Sequence, residues 1–476
     1  MKTKINSLRW ILVAFAITLV VSGFGQDALL VNKLKGSWAG AIKFRGVELP
    51  MVMNVSSNAA DSLTITFDSP TQGAKGIPTS AYSFKGDSAF IELKSLVSLF
   101  SGKVSADTIS GVWKQSGFSL PIKLARQEKK FELIRPQEPK PPFPYDNLDV
   151  SFKNEKAGVT LAGTLTTPKA GGPFPAVILI TGSGPQNRDE ELLGHKPFLV
   201  IADWLTRQGI AVLRYDDRGV GKSGGDFSSA TSYDFAADAE AALDFLKKRA
   251  EIDSSRIGFI GHSEGGMIAP LIVSQRSDVA FIVLMAGPGI TGEQILYLQG
   301  ELIAKAAGEK EKDIKDNLKL SKDIYSLLKK TSDNDKAAAR IRELMSSYDK
   351  KHAADSGYQP LNETQLAGQI KTLTSPWFRC FLTFDPVDYL SKVKCPVLAI
   401  NGTLDLQVPC QENLQTIEKA LIFGGNSSYE IKEFEGLNHL FQHAKTGGPD
   451  EYSKIEETIA PDVLEIISAW ILATVK

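Results

Sequence analysis

The chain has 476 residues, a formal net charge of −1, 43% hydrophobic residues and 23% charged residues. That length exceeds one ordinary domain, and the balance is that of a globular protein. Near-neutrality excludes the basic field of a nucleic-acid binder and the acidic field of a polycation binder. It leaves a small-molecule or neutral-polymer substrate.

The N-terminus carries Lys2, Lys4 and Arg9, then an apolar run from Trp10 to Val21, then Ser22, Gly23 and Gly25. This charged, apolar, small-residue order reads as a secretory signal over residues 1–25, with a mature start near Gln26. The run is short for a spanning helix. The expected location is periplasmic or extracellular, without stable membrane insertion after cleavage.

Residues 27–128 lack helical periodicity. Short strands are expected at Ser37–Phe44, Leu49–Val55, Leu63–Phe67, Tyr82–Phe84, Ala89–Leu93, Thr108–Lys114 and Phe118–Leu124. Acidic-hydroxyl turns recur at Asp61-Ser62, Asp87-Ser88 and Asp107-Thr108, spacing that suggests a meander closing into a small barrel or sandwich. Ser37-Trp38-Ala39-Gly40 resembles the start of lipocalin-like barrels. Residues 129–144 contain the proline-rich stretch Arg135–Pro144, a semi-rigid linker.

From 145 to 476 the pattern becomes α/β. Val177–Ile180, Ala211–Tyr215, Ile257–Ile260, Phe281–Met285 and Val397–Ile400 are near-continuous apolar runs, as doubly buried parallel strands require. Helical stretches such as Phe198–Gln208 and Asp234–Arg249 lie between them, which implies a doubly wound, mostly parallel sheet. Asp149–Lys153 and Val159–Thr166 read as an antiparallel hairpin at its edge. Residues 291–375 interrupt the alternation with charged, helical-period sequence, expected to form a helical cap over the carboxyl edge.

Cys380, Cys395 and Cys410 are an odd number, so at least one is unpaired within the chain; a Cys395–Cys410 pair stays open. No Cys/His set has zinc-site spacing, so neither a metal nor a cofactor is expected.

Gly-x-Ser-x-Gly occurs twice, around Ser263 and Ser223. The chemistry needs a sharp strand-to-helix turn that exposes the serine hydroxyl above the sheet. Ser263 follows the strand Arg256–Ile260 and precedes the helix Met267–Gln275, whereas Ser223 sits in a polar loop. Gly221-Lys222-Ser223 also suggests a phosphate loop, but position 216 is Asp where that motif needs Gly.

A serine nucleophile needs a histidine base and a carboxylate that orients it, here in the order Ser, acid, His. Asp405 lies just past the strand Val397–Ile400, and His439 just past Tyr429–Phe434. Asp385 and Asp388 precede a strand and suit turns or caps. His262 adjoins Ser263 and points away from its hydroxyl, His443 suits a structural role, His195 lies in a loop that could rim the pocket, and His352 lies in the insertion. Backbone donors for the developing oxyanion are expected from Glu264 and from the Thr181–Gly184 loop, with Ser183 favoured and Gly184 next. The Glu264 side chain either lines the pocket or is solvated.

Ile180-Thr181-Gly182-Ser183-Gly184-Pro185-Gln186-Asn187-Arg188-Asp189-Glu190, Leu213–Ser223, Gly261–Gly266 and Gly436-Leu437-Asn438-His439 together resemble bacterial α/β-hydrolase esterases of the EstD type. These relate to dienelactone hydrolases and prolyl-oligopeptidase-like peptidases. The family often has His-Gly where this chain has Thr181-Gly182. The resemblance covers about 145–476 and implies hydrolysis of short acyl esters through an acyl-enzyme. Acetylated carbohydrate esters are one candidate class. A peptidase on the same triad and a non-catalytic binding protein are the alternatives. About 100 residues of short strands cannot build the propeller that usually precedes such peptidases.

Overall fold

The computed structural model describes residues 33–44, 47–57, 63–72, 74–128, 133–355 and 358–476. The expected export signal lies outside them. Among the described residues no helix is long and apolar enough to cross a membrane.

The first domain holds nine strands: β1 (Gly36–Phe44), β2 (Val47–Ser57), β3 (Leu63–Ser69), β4 (Ala74–Pro78), β5 (Ala81–Lys85), β6 (Ser88–Leu93), β7 (Ser98–Val104), β8 (Thr108–Gln115) and β9 (Phe118–Gln127). All ladders are antiparallel, in the order β4-β3-β2-β1-β9-β8-β7-β6-β5. The strands form a curled antiparallel meander whose order ends at β4 and β5, which fits the small all-β domain expected from the turn spacing. Alternation decides which face is inside: in β3, Leu63, Ile65 and Phe67 are buried while Thr64 is exposed. These side chains pack on Trp38, Phe100 and Trp113, with Phe67 edge-on to Trp113 at 5.4 Å.

The second domain contains β10 (Asp146–Asn154), β11 (Val159–Thr167), β12 (Phe174–Ile180), α1 (Pro197–Arg207), β13 (Ala211–Tyr215), α2 (Ser232–Leu246), β14 (Ile252–His262), α3 (Glu264–Val273) and β15 (Ile282–Met285). An insertion of α4 (Gly292–Ala306), α5 (Glu311–Lys330), α6 (Asn334–His352), α7 (Glu363–Leu373) and α8 (Pro376–Thr383) follows. The chain then completes the sheet with α9 (Val387–Leu390), β16 (Val397–Gly402), α10 (Cys410–Phe423), β17 (Tyr429–Phe434), α11 (Pro449–Tyr452) and α12 (Pro461–Thr474).

The sheet order is β10-β11-β13-β12-β14-β15-β16-β17, antiparallel at β10, β11 and β13 and parallel onward from there. Every residue of β12, β13, β15 and β16 is buried. One face packs Leu243, Ile268 and Ile417 from α2, α3 and α10. The other packs Phe198 and Leu205 of α1 with Ile467 of α12. Each such side chain contributes about 1.5–3 kcal/mol on burial, which a polar residue on either face would forfeit.

Two features differ from the sequence reading. Strands β4 and β7 went unread, since AKGIP and SLFSGKV break the apolar-polar alternation with glycine and lysine. The stretch after 132, read as a semi-rigid linker, is docked on the second domain. The Gln137 side-chain carbonyl accepts from the Thr458 and Ile459 N–H groups, and Arg135 donates to the Leu193 and Ser453 carbonyls. All three cysteines are free, so Cys395 and Cys410 do not pair.

Candidate active site

The central turn joins β14 to α3 at Ser263, whose backbone sits at φ 52°, ψ −117°. A non-glycine residue there is strained, a state that persists only where the surroundings enforce it. A Cβ on Gly261 would lie 2.1 Å from the Gly265 carbonyl oxygen, and one on Gly265 would lie 2.2 Å from that of Ile180. Both flanking glycines are therefore demanded by backbone contact. The turn presents Ser263 to a cavity of about 220 Å³ that Ser183, Glu264, Leu296, Trp377 and His439 also line.

The second Gly-x-Ser-x-Gly serine is tied down. The Ser223 hydroxyl donates to the Asp216 carbonyl at 2.7 Å and accepts the Ala162 N–H at 2.9 Å. Its neighbours weld loops together: Arg188 binds Asp216 through two side-chain nitrogens, and Arg218 does the same to Asp238.

Asp405 and His439, 34 residues apart, meet beyond adjacent parallel strands. His439 Nδ1 lies 2.8 Å from Asp405 Oδ2, and both side chains are almost fully buried. A carboxylate can only accept, so Nδ1 carries the hydrogen and Nε2 keeps its lone pair. Asp405 Oδ1 accepts the N–H groups of Gln407 and Val408, each at 2.8 Å, which fixes the carboxylate plane. Among the described residues no hydrogen bond joins the Ser263 hydroxyl to His439; in unliganded hydrolases this contact often tightens only with substrate.

The donor loop is partly committed. The Gly182 N–H donates to Glu190 Oε1 at 2.7 Å, which leaves the Ser183 N–H as the next donor along. Ser183 lines the cavity and Gly184 does not. Glu264 is the first residue of α3, where a helix leaves its N–H without an internal partner and with a partial positive charge.

Two structural groups escaped the sequence reading. His262 Nδ1 lies 3.0 Å from Glu190 Oε1, and its Nε2 lies 3.0 Å from the His439 carbonyl oxygen. Both partners are acceptors, so the ring carries two hydrogens and a positive charge. Burial alone would lower its pKa, but the charge and hydrogen bond of Glu190 outweigh that and raise it. One buried ion pair thus braces the donor loop and the His439 loop together. The signal was present, since Glu190 ends the Gly182–Glu190 stretch.

The second group is on the insertion, which reaches past the expected boundary at 375. Helix α8 brings Trp377, whose indole N–H donates to both Glu264 carboxylate oxygens at 2.9 and 3.0 Å. The Ser232 hydroxyl donates to Glu264 Oε1 at 2.6 Å. Glu264 is 2% exposed. Its burial raises its pKa against the opposing hydrogen bonds. The Glu264 side chain is thus a pocket residue, not a solvated one. His195 is buried away from the cavity, within hydrogen-bond distance of the Thr458 hydroxyl and the Tyr452 carbonyl, so it does not rim the pocket. His443 is exposed and pairs with Glu457.

An open α/β sheet with a strained serine at a strand-to-helix turn, and an Asp–His pair beyond later strands, decides the class. The chain is a serine hydrolase with an α/β-hydrolase fold. A family described as "Serine aminopeptidase, S33" matches residues 197–366 of this hydrolase. It is 28% identical to Esterase EstD of Thermotoga maritima over 329 residues, 68% of each chain. It is 33% identical to human dipeptidyl peptidase 8 over 161 residues, 32% of this chain and 18% of that one. Among solved structures, the Pyrococcus furiosus esterase Pf2001 is similar at 18% identity and TM-score 0.41, covering 70% of this hydrolase and 94% of that chain.

Proposed function

We propose that this hydrolase is an exported carboxylesterase that cleaves short-chain acyl esters through an acyl-enzyme. The observation that carries it is the Asp405–His439 hydrogen bond facing the cavity into which the strained Ser263 turn opens. The Ser263 hydroxyl attacks the ester carbonyl and its proton passes to His439 Nε2. The imidazolium, steadied by Asp405, then protonates the departing alcohol. Water, deprotonated by His439, releases the acid and regenerates the serine. The N–H groups of Glu264 and Ser183 hold the oxyanion.

A cavity of about 220 Å³ is below the roughly 300–1,000 Å³ of sites for drug-sized ligands, which favours a small acyl group. The likeness to an EstD esterase over two thirds of each chain supports ester chemistry. Acetylated carbohydrate is the natural source of such esters that an exported enzyme meets. Aminopeptidase action needs a carboxylate free to hold a substrate ammonium. The two that line the cavity, Glu190 and Glu264, are already engaged by His262 and Gly182 and by Trp377 and Ser232.

Hydrolysis of nitrophenyl esters from acetyl to octanoyl, beside an aminoacyl nitroanilide, tests the reading. Ester turnover that falls with chain length and disappears in Ser263→Ala is expected. Turnover that survives Ser263→Ala, or that prefers the anilide, refutes it.

A further inference from the structure

One cluster of ionisable side chains has no part in this chemistry. It lies where α5 meets the end of α6. Asp313 and Asp316 are three apart on α5 and so share a face, and His352 closes α6. His352 is 2% exposed, its ring stacked on Tyr348 at 4.3 Å and flanked by Tyr358 at 5.5 Å. Its Nδ1 lies 2.6 Å from Asp355 Oδ2. With Nδ1 donating to that carboxylate, Nε2 is left to present its lone pair. This Nε2 is buried without a hydrogen-bond partner, and so is Asp316 Oδ2, the atom it faces at 3.4 Å. A buried polar atom without a partner is costly, so two facing one another call for an occupant.

We propose that His352 Nε2 and Asp316 Oδ2 bind a divalent transition-metal ion of the zinc class, with water completing its shell. Two ligand atoms each about 2.1 Å from a tetrahedral zinc ion stand about 3.4 Å apart, which matches the observed separation. Ligand-capable atoms of Asp313, His352 and Asp355 all lie within 4.8 Å of one another. Asp355 then acts as the carboxylate that orients a metal-binding imidazole through its other nitrogen. Lys351 occupies Asp316 Oδ1 at 2.6 Å, so Asp316 offers the ion a single oxygen. Lys312, 3.6 Å from Asp355, is the other cation at the cluster. An imidazole among carboxylates suits zinc better than calcium or magnesium, which take oxygen alone. The ion pins α5 to the end of α6 and so stiffens the insertion.

Calorimetric titration of the chelator-treated full chain with ZnCl₂ tests this, alongside Asp316→Asn, His352→Gln and Lys351→Ala. One saturable site is expected, weakened at least about tenfold by Asp316→Asn and His352→Gln. Lys351→Ala removes a competing cation and should tighten binding, a change that a loss of folding does not mimic. No saturable heat, or one affinity shared by all four proteins, overturns the site. Tighter binding of CaCl₂ than of ZnCl₂ overturns the assignment of the ion.

Discussion

Substituting Glu190 by alanine probes how the two halves of the active site are held. Glu190 is 4% exposed, and its Oε1 receives the Gly182 N–H at 2.7 Å and His262 Nδ1 at 3.0 Å. The variant leaves a buried imidazolium whose remaining bond goes to the His439 carbonyl. Stripping one partner from a buried ion pair costs about 3–5 kcal/mol. If His262 sheds its proton instead, two charge-assisted hydrogen bonds of about 1.5–3 kcal/mol each are still lost, so both routes give a similar figure. Against a typical total of about 5–15 kcal/mol this is a large fraction. The loosened Gly182 and His439 loops should also lower kcat by about 10²-fold, the usual effect of a displacement near 1 Å.

The pH dependence carries a sign. The His262 pKa is raised in the folded state by Glu190, so the pair's stabilisation is fully present below the ordinary histidine value and is lost as pH rises through the folded one. Urea denaturation of wild type and Glu190→Ala should therefore show the widest gap near pH 6 and a narrowing one at alkaline pH. A gap below about 1 kcal/mol, or one that widens with pH, refutes the brace.

Asp405→Asn should keep the fold and reduce kcat by about 10⁴-fold, because an amide beside Nδ1 admits the wrong tautomer; loss of less than about tenfold contradicts the assignment. Trp377→Phe removes the indole N–H from buried Glu264 and should destabilise by about 1–3 kcal/mol in a denaturant titration; an unchanged midpoint argues against that link. Burial, aided by the charges of Glu190 and Glu264, pushes the Asp217 carboxyl up to about 8. Its folded value lies above its unfolded one, so its contribution is present below about pH 4 and is lost as pH rises toward 8. Asp217→Asn should flatten the decline of stability between about pH 5 and 8, and parallel pH profiles exclude this.

Much of the hydrolase fold is legible in the sequence because doubly buried parallel strands must be apolar throughout. The runs at 177–180, 211–215 and 397–400 have no other economical reading. The serine turn is legible as well, since Gly261 and Gly265 are fixed by contacts between neighbouring segments. Strands β4 and β7 were not, because edge and glycine-containing strands owe their pairing to neighbours rather than to alternation.

Order along the chain suggested Ser263, Asp405 and His439 as partners, but only the sheet order 14-15-16-17 brings the last two within a hydrogen bond. The pairing of His262 with Glu190 was decided in the same way, although the sequence singles out the stretch that carries Glu190. Their bond spans 72 residues and exists because β12 and β14 are hydrogen-bonded neighbours, so that loops leaving the same sheet edge meet. Local chemistry chose the elements and the nucleophile. Strand adjacency, a property of the whole sheet, chose which charges face one another.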